Sequence, residues 1–162
     1  MIEFKPLEEK HLEDVRSIYN DYVAHTTVSF DLDAASLDKM RELTLHDDPR
    51  FCSFVIMYEG YIIGYMMLSP FIKKHSCSRT AEITIYLNSQ HKARGIGSQA
   101  LRFLEEQAVE FGFHTLIAVI CTENESSMHM FQKQGYTLKG ILEQVAYKFD
   151  RYLDVAYVSK LL

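Results

Sequence analysis

The sequence of 162 residues has three cysteines, three prolines, seven glycines and no tryptophan. So little glycine and proline excludes a collagen-like chain, and a 48% apolar fraction beside 24% charged residues excludes a disordered one. At about 150 residues per domain, we expect residues 1–162 to form a single domain with its own core.

The cysteines, Cys52, Cys77 and Cys121, are odd in number and far apart. Their spacing predicts neither a disulfide framework nor a zinc site, and the seven scattered histidines offer no pair spaced for a metal. We therefore expect no metal and a reducing cytoplasmic environment. The N-terminus also lacks the basic and apolar segments of a signal peptide.

No apolar run is long enough to cross a membrane. The most apolar stretch, residues 54–68, is interrupted by Glu59, Gly60 and Gly64 and falls short of the ~18 residues that a span requires. The charge balance, 17 basic against 22 acidic residues, gives a net charge of −5 that repels a polyanion. Neither a membrane nor a nucleic acid is an expected partner.

Apolar periodicity predicts a mixed α/β sheet. The predicted elements, in chain order, are a strand over 2–5, a helix from soon after Pro6 to Tyr22, a helix from about Asp33, strands over 51–58, 61–68 and 80–87, a helix over 96–111, a strand over 115–121, a helix between Asn124 and Gly135, and strands over 136–142 and 153–161. The helix between strands 80–87 and 115–121 predicts a parallel crossover.

The glycine-containing segment from Lys92 to Ser98 leads into a predicted helix. Unpaired N–H groups and the helix dipole favour an anion there, and glycine allows a phosphate to approach the backbone. Lys92 and Arg94 add positive charge. The residues favour a pyrophosphate, although a helix start without any ligand remains open, because short glycine motifs are weak evidence.

The same glycines also fit a dinucleotide fingerprint, with Gly95, Gly97 and Ala100 as G-x-G-x-x-A and Glu123 as the ribose-binding acid. That fingerprint directly follows its strand, whereas residues 88–94 separate Leu87 from Gly95. Too little chain follows Glu123 for a second mononucleotide-binding half. The context therefore disfavours a nicotinamide cofactor.

Beyond this segment, motifs spread over almost the whole chain resemble the Gcn5-related N-acetyltransferases, and within them the phosphinothricin acetyltransferase branch. The residues that carry the resemblance are Ile18 to Val23, Phe30, Gly64-Tyr65, Pro70-Phe71, Thr80-Ala81-Glu82, Arg94 to Gly97, Asn124, Ser127, Met130-Phe131, Gly135-Tyr136, Tyr147-Lys148-Phe149 and Leu153-Asp154-Val155.

The resemblance implies a fold with splayed central strands, helices on both faces, and acetyl-CoA bound between strands 80–87 and 115–121. It also implies a possible homodimer. The implied cofactor-binding residues are Ile85, Tyr86 and Leu87 for the pantetheine arm, Ala93, Arg94, Gly95, Ile96, Gly97 and Ser98 for the pyrophosphate, and Asn124 near the arm.

The resemblance further places Glu82 where the family has its proposed base, which takes the proton of an ammonium substrate. Composition alone favours a solvated Glu at this position. Phe30, Lys74 and Arg79 are candidates for the substrate mouth, where a cation could hold an amino-acid carboxylate, although a solvated loop charge is an equal alternative for the two cations.

Two residues depart from the family pattern. Lys92 replaces the usual Gln or Arg, which leaves the backbone amides available. Phe131 replaces a Tyr, or a His in the phosphinothricin branch, and cannot donate a proton. Because a thiol has a pKa of about 8.5, a CoA thiolate can leave without that acid, with water or a hydroxyl such as that of Tyr147 as the proton source.

These observations predict an acetyl-CoA-dependent N-acetyltransferase that acts on the primary amine of a small molecule, an amino acid or amino-acid analogue such as phosphinothricin or methionine sulfoximine. One alternative keeps the chemistry but acetylates a protein N-terminus or lysine. Another, encouraged by Phe131, is a CoA-binding or sensing module without turnover.

Overall fold

A computed structural model describes all residues from Met1 to Leu162. The main elements are β1 (Ile2–Pro6), α1 (Leu12–His25), α2 (Leu37–Thr44), β2 (Ser53–Tyr58), β3 (Tyr61–Pro70), β4 (Thr80–Leu87), α3 (Ile96–Glu110), β5 (Thr115–Cys121), α4 (Glu125–Lys133), β6 (Thr137–Lys148) and β7 (Arg151–Leu161). No helix combines the length and apolarity needed to cross a bilayer.

All seven strands form one sheet in the order β1-β2-β3-β4-β5-β7-β6. Every neighbouring pair is antiparallel except β4 and β5, which are parallel and joined through α3. The predicted mixed α/β fold and its parallel crossover are therefore confirmed.

The parallel pair is short. β4 and β5 are paired only from Thr80–Thr115 to Glu82–Ile117, and both strands then continue without pairing to each other. β4 keeps its other neighbour, β3, as far as Leu87, and β5 keeps β7 as far as Cys121. The sheet consequently splits along its middle, which confirms the splayed central strands.

Two apolar clusters cover the two faces of the sheet. The alternation of side chains along a strand sends neighbouring residues to opposite faces, so Tyr65 packs with α1 and α2 while Met66 packs with α3. Ala81 and Ile83 of β4 belong to the α3 side, and Tyr86 packs on the α1 side. Helices therefore lie on both faces, as expected.

Two predicted elements needed correction. The second helix begins at Leu37 rather than near Asp33, because the Ser36 side chain caps it by accepting a 3.1 Å hydrogen bond from the Lys39 amide. β6 extends six residues beyond Leu142 to Lys148, because irregularities at 138–140 and 142–146 interrupt the alternation by which a strand is recognised.

Candidate active site

The split in the sheet leaves backbone groups of β4 without a strand partner. The Asn88 amide donates to the Ile63 carbonyl at 2.7 Å, and hydrogen-bonded pairs alternate in an antiparallel ladder. The register therefore turns the backbone groups of Ile85 and the N–H of Leu87 away from β3 and toward the gap, while the Leu87 carbonyl accepts from the Tyr22 hydroxyl. An extended ligand can occupy the place of the missing strand.

Tyr86 requires a correction, because the same alternation directs its backbone polar groups to Tyr65 on β3 rather than into the gap. Its side chain stacks on the Tyr65 ring with centroids 5.2 Å apart. Of the three residues expected to bind a pantetheine arm through their backbone, Ile85 and Leu87 are oriented to do so. Tyr86 instead contributes its side chain to a cavity wall.

A cavity of about 290 Å³, which we call the loop cavity, lies beside the N-terminus of α3. Left-handed backbone at Ala93 (φ 61°) and Gly95 (φ 75°) turns the chain into the helix. A Cβ at Gly95 would meet no atom within 4 Å, so its exposed surface is open to a ligand. Helix N–H groups, the dipole and the ammonium of Lys92, which also lines the cavity, all favour an anion here.

Most of the expected cofactor-binding residues lie together in this cavity, namely Ile85, Leu87, Ala93, Gly95, Gly97, Ser98 and Asn124. Arg94 and Ile96 do not line it. The Ile96 side chain is buried in the apolar core, and Arg94 is exposed to solvent.

Asn124 caps α4 and faces both halves of the site. Its Oδ1 accepts hydrogen bonds from the Ser127 amide and the Ser126 hydroxyl, each at 3.3 Å, which leaves its amide N–H groups to donate to a ligand. Ser126 and Ser127 also line the loop cavity. The cap therefore fixes a polar cluster where β5 ends.

A second cavity of about 260 Å³, the Glu82 cavity, adjoins the first. Val28, Ile85, Asn124 and Ser127 line both cavities, so the two form one continuous groove. Glu82 lies in its wall at the last paired position of β4. Burial raises the pKa of its carboxyl group, so the ionised form is a stronger base than an exposed glutamate.

The charges of the Glu82 cavity are both negative. Asp31 and Glu82 line it, and no lysine, arginine or histidine does. Phe30 is part of the wall, as the sequence suggested, but Lys74 and Arg79 are not. Lys74 is exposed in the β3–β4 connection, and Arg79 precedes the end of β4 that is still paired to β5, away from the gap.

Phe131 is also part of this wall, 4% exposed, and its ring meets that of Tyr136 edge-on at 5.0 Å. Tyr147, the hydroxyl considered in its place, is 55% exposed and lies outside the wall. The hydroxyl groups that do line the cavity belong to Tyr19, Ser29, Thr84, Tyr86 and Ser127.

Two tyrosines of α1 that the sequence did not single out as site residues belong to the site. Tyr22 lines the loop cavity and donates its hydroxyl hydrogen to the Leu87 carbonyl, and the Lys92 ammonium lies 4.7 Å from its ring centre. Tyr19 lines the Glu82 cavity and donates to the Asp31 carboxylate. A helix face that only packs against the core does not need hydroxyl groups. The presence of Tyr at these two positions was therefore the available sign of a polar partner.

Comparison with known proteins agrees with this architecture. The model of the acetyltransferase (GNAT) family matches residues 12–136. A curated L-methionine sulfoximine/L-methionine sulfone acetyltransferase of Pseudomonas aeruginosa is 26% identical over 91% of this chain and 87% of its own.

Two solved structures are similar over nearly the whole chain. A ribosomal-protein-alanine N-acetyltransferase from Brucella melitensis is 31% identical, with a TM-score of 0.92 and 99% of both chains covered. A phosphinothricin acetyltransferase from Sinorhizobium meliloti, in complex with AcCoA, has a TM-score of 0.94 at 24% identity, covering 99% of this chain and 88% of its own. With the family model matched over most of its length, this chain belongs to the acetyltransferase (GNAT) family.

Proposed function

We propose that residues 1–162 act as one acetyl-CoA-dependent N-acetyltransferase domain that modifies the primary amine of a small molecule, an amino acid or amino-acid analogue. The observation that carries the proposal is the position of Glu82. A carboxylate whose pKa is raised by burial lies at the point where the sheet splits, in a groove continuous with an anion-binding loop.

Acetyl-CoA, the acetyl donor, fits this groove along its whole length. Amides of the turn from Ala93 to Ser98 suit the pyrophosphate, and Asn124 offers N–H groups beside them. The unpaired backbone of Ile85 and the N–H of Leu87 suit the amides of the pantetheine arm, since the Leu87 carbonyl accepts from Tyr22. The thioester then reaches the Glu82 cavity. The AcCoA in the structurally similar Sinorhizobium protein supports the same choice of donor.

The chemistry requires a neutral amine, because an ammonium has no lone pair. Glu82 accepts the proton, directly or through a water, and the amine nitrogen attacks the thioester carbon. An N–H group of β4 facing the gap stabilises the negative charge on the carbonyl oxygen. The C–S bond then breaks and the CoA thiolate leaves, and the second proton that the nitrogen loses passes through water to the thiolate, so no acid is needed at Phe131.

A second candidate acceptor is the N-terminal amine of a peptide. A free amino acid brings a carboxylate into a cavity that already holds Asp31 and Glu82 and no cation, whereas a peptide N-terminus carries a neutral amide at that position. The similarity to the Brucella ribosomal-protein-alanine acetyltransferase favours the same acceptor.

The proposed function includes a homodimer formed through β6. This strand is 12 residues long and lies at the edge of the sheet, where its outer hydrogen-bonding groups have no partner strand. The β6–β7 hairpin also exposes an apolar set, namely Leu138, Ile141, Leu142, Val145, Tyr147, Phe149 and Tyr152. A two-fold axis would pair identical edges and cover this set.

The location proposed is the cytoplasm. Cys52, Cys77 and Cys121 are all unpaired, which suits a reducing compartment. Burial also raises the pKa of the Cys52 thiol to about 11 and keeps it protonated.

Thiol release from acetyl-CoA across a matched set of amines tests the function. The set pairs free amino acids with their amides, L-methionine sulfoximine with its amide and L-alanine with L-alaninamide. Faster turnover of the acids supports the amino-acid acceptor, and faster turnover of the amides supports the peptide acceptor. If no amine of the set causes thiol release, the chain is a CoA-binding module without turnover.

Gly97→Val should weaken CoA binding. A Cβ at Gly97 would lie 2.8 Å from Met130 Sδ, and both residues line the loop cavity, so the added bulk narrows the phosphate site. Calorimetric titration measures the change, with Gly140→Val, where a Cβ meets nothing within 4 Å, as the control. Unchanged CoA affinity in the Gly97 variant would place the phosphates elsewhere. NADH binding to the wild type as tightly as CoA would overturn the choice of cofactor.

Glu82→Gln should lower kcat/KM by about 10²–10³-fold with little effect on CoA affinity, as expected for loss of a base. The deficit should shrink at high pH, where solution supplies neutral amine. An equal deficit at every pH would assign Glu82 a structural role instead.

The same variant makes a stability prediction. Because the folded pKa of Glu82 is raised, the fold loses stability as the pH rises from about 4.5, the ordinary pKa, to the folded pKa. The cost is absent below this window and constant above it. Glu82→Gln should therefore raise Tm at neutral pH, and the gain should disappear on acidification. Glu106→Gln, on the exposed face of α3, is the control.

Ile141→Glu should convert a dimer to a monomer, since it places a charge in the proposed apolar contact. Val109→Glu, at a more exposed apolar residue of α3, should leave the dimer intact. Sedimentation equilibrium measures both. A wild-type protein that is monomeric at micromolar concentration contradicts the dimer.

A further inference from the structure

Residues 26–31, which we call the acceptor loop, join α1 to the segment before α2 and contain no helix or strand. Val28, Ser29, Phe30 and Asp31 line the Glu82 cavity. A loop without its own backbone ladder keeps its shape only through contacts with its surroundings. Those contacts therefore decide how the acceptor side of the site is shaped.

We propose that Lys148 and Arg151, on either side of the β6–β7 turn, are positioning residues that hold the acceptor loop in its substrate-binding conformation. The proposal rests on the proposed function, since it assigns these residues to binding of the amine. Neither residue lines either cavity.

Lys148 makes the inner contact. It is the last residue of β6, 3% exposed, and its Nζ donates a 2.8 Å hydrogen bond to the Ser29 carbonyl. The ring of Phe149 lies 5.1 Å from the same ammonium. Burial lowers the pKa of Lys148 and the nearby Asp31 carboxylate opposes that shift, so the ammonium is held beside an acid of the cavity wall.

A buried ammonium is costly unless it is paired, and here the Ser29 carbonyl is its hydrogen-bond partner. The contact joins residues 119 positions apart in the sequence. It ties the middle of the acceptor loop to the end of the hairpin, where neither local sequence nor strand pairing could hold it.

Arg151 makes the outer contact through Glu123. Its Nε and a terminal guanidinium nitrogen donate to the two Glu123 oxygens at 3.0 and 2.6 Å, a bidentate pair. The same carboxylate accepts a 3.2 Å hydrogen bond from the Thr27 hydroxyl. The Arg151 guanidinium lowers the pKa of Glu123, with a smaller contribution from Thr27, so this acceptor stays ionised.

The side of the loop nearer α1 is joined to the cavity wall by a separate chain of polar contacts. The Tyr19 hydroxyl donates to Asp31 and accepts from the Ser29 hydroxyl at 3.3 Å, which in turn accepts from the Asp31 amide at 3.2 Å. A shift of Ser29 therefore moves Tyr19 and Asp31, both of which face the acceptor. The acetyl-CoA site at the N-terminus of α3 takes no part in these polar contacts.

Lys148→Met should raise the KM for the amine by about tenfold. The acceptor loop is then in its substrate-binding conformation in a smaller fraction of the molecules. The KM for acetyl-CoA and kcat should change by less than about threefold. Arg151→Gln should act in the same direction. A purely structural role would lower the amount of folded enzyme and leave the amine KM unchanged.

Two matched variants serve as controls. Lys160 also donates to a loop carbonyl, that of Gln134 at 2.9 Å, and Arg50 also pairs with an acid, Asp48, and binds the Ser78 carbonyl. Lys160→Met and Arg50→Gln should lower Tm without changing the amine KM. If these two variants raise the amine KM as much as Lys148→Met does, the proposal is wrong.

Hydrogen–deuterium exchange tests the loop without any turnover. In Lys148→Met, peptides covering residues 26–35 should exchange faster, while those of α3 should keep the wild-type rate. Unchanged exchange in 26–35 overturns the proposal. A wild-type protein that acetylates no amine would instead overturn the proposed function, and the exchange result would still decide whether Lys148 holds the loop.

Discussion

The end of β4–β5 pairing at Glu82 and Ile117 is the constraint on which the site depends. Were the two strands to continue side by side, they would satisfy each other's backbone groups and close the groove. Tyr22 helps to keep them apart, because its hydroxyl occupies the Leu87 carbonyl at the far end of β4. The gap, the unpaired backbone of Ile85 and the burial of Glu82 all follow from this split.

A cluster of tyrosines connects the two cavities on the α1 side of the sheet. Tyr86 stacks on Tyr65 and meets Tyr22 and Tyr19 at centroid distances of 5.1 and 5.7 Å. Burial raises the pKa of Tyr22 to about 12 and that of Tyr86 further, so these hydroxyls stay neutral and can donate. The cluster thus supplies apolar packing together with hydrogen bonds to Leu87 and Asp31.

Local patterns predicted the sheet strands, the crossover through α3 and the helix that follows Asn124, because each depends on residues close in sequence. They failed where local signals misled. The cap at Ser36 starts α2 at Leu37 rather than near Asp33, and bulges hide the second half of β6. Lys74 and Arg79 were candidates for the substrate mouth by charge alone, and the chain path takes both away from it.

The sequence by itself determined the elements, the anion-binding loop with its family resemblance, and Glu82 as the candidate base. Short-range periodicity and glycine placement contain the information on the elements and the loop, whereas Glu82 was singled out only by the family resemblance. Only the tertiary structure decided that Tyr19 and Tyr22 reach the site, that Tyr86 turns its backbone to β3, and that Lys148 touches Ser29. These features join segments as far as 119 residues apart, and no local pattern records which distant groups meet once the sheet has closed.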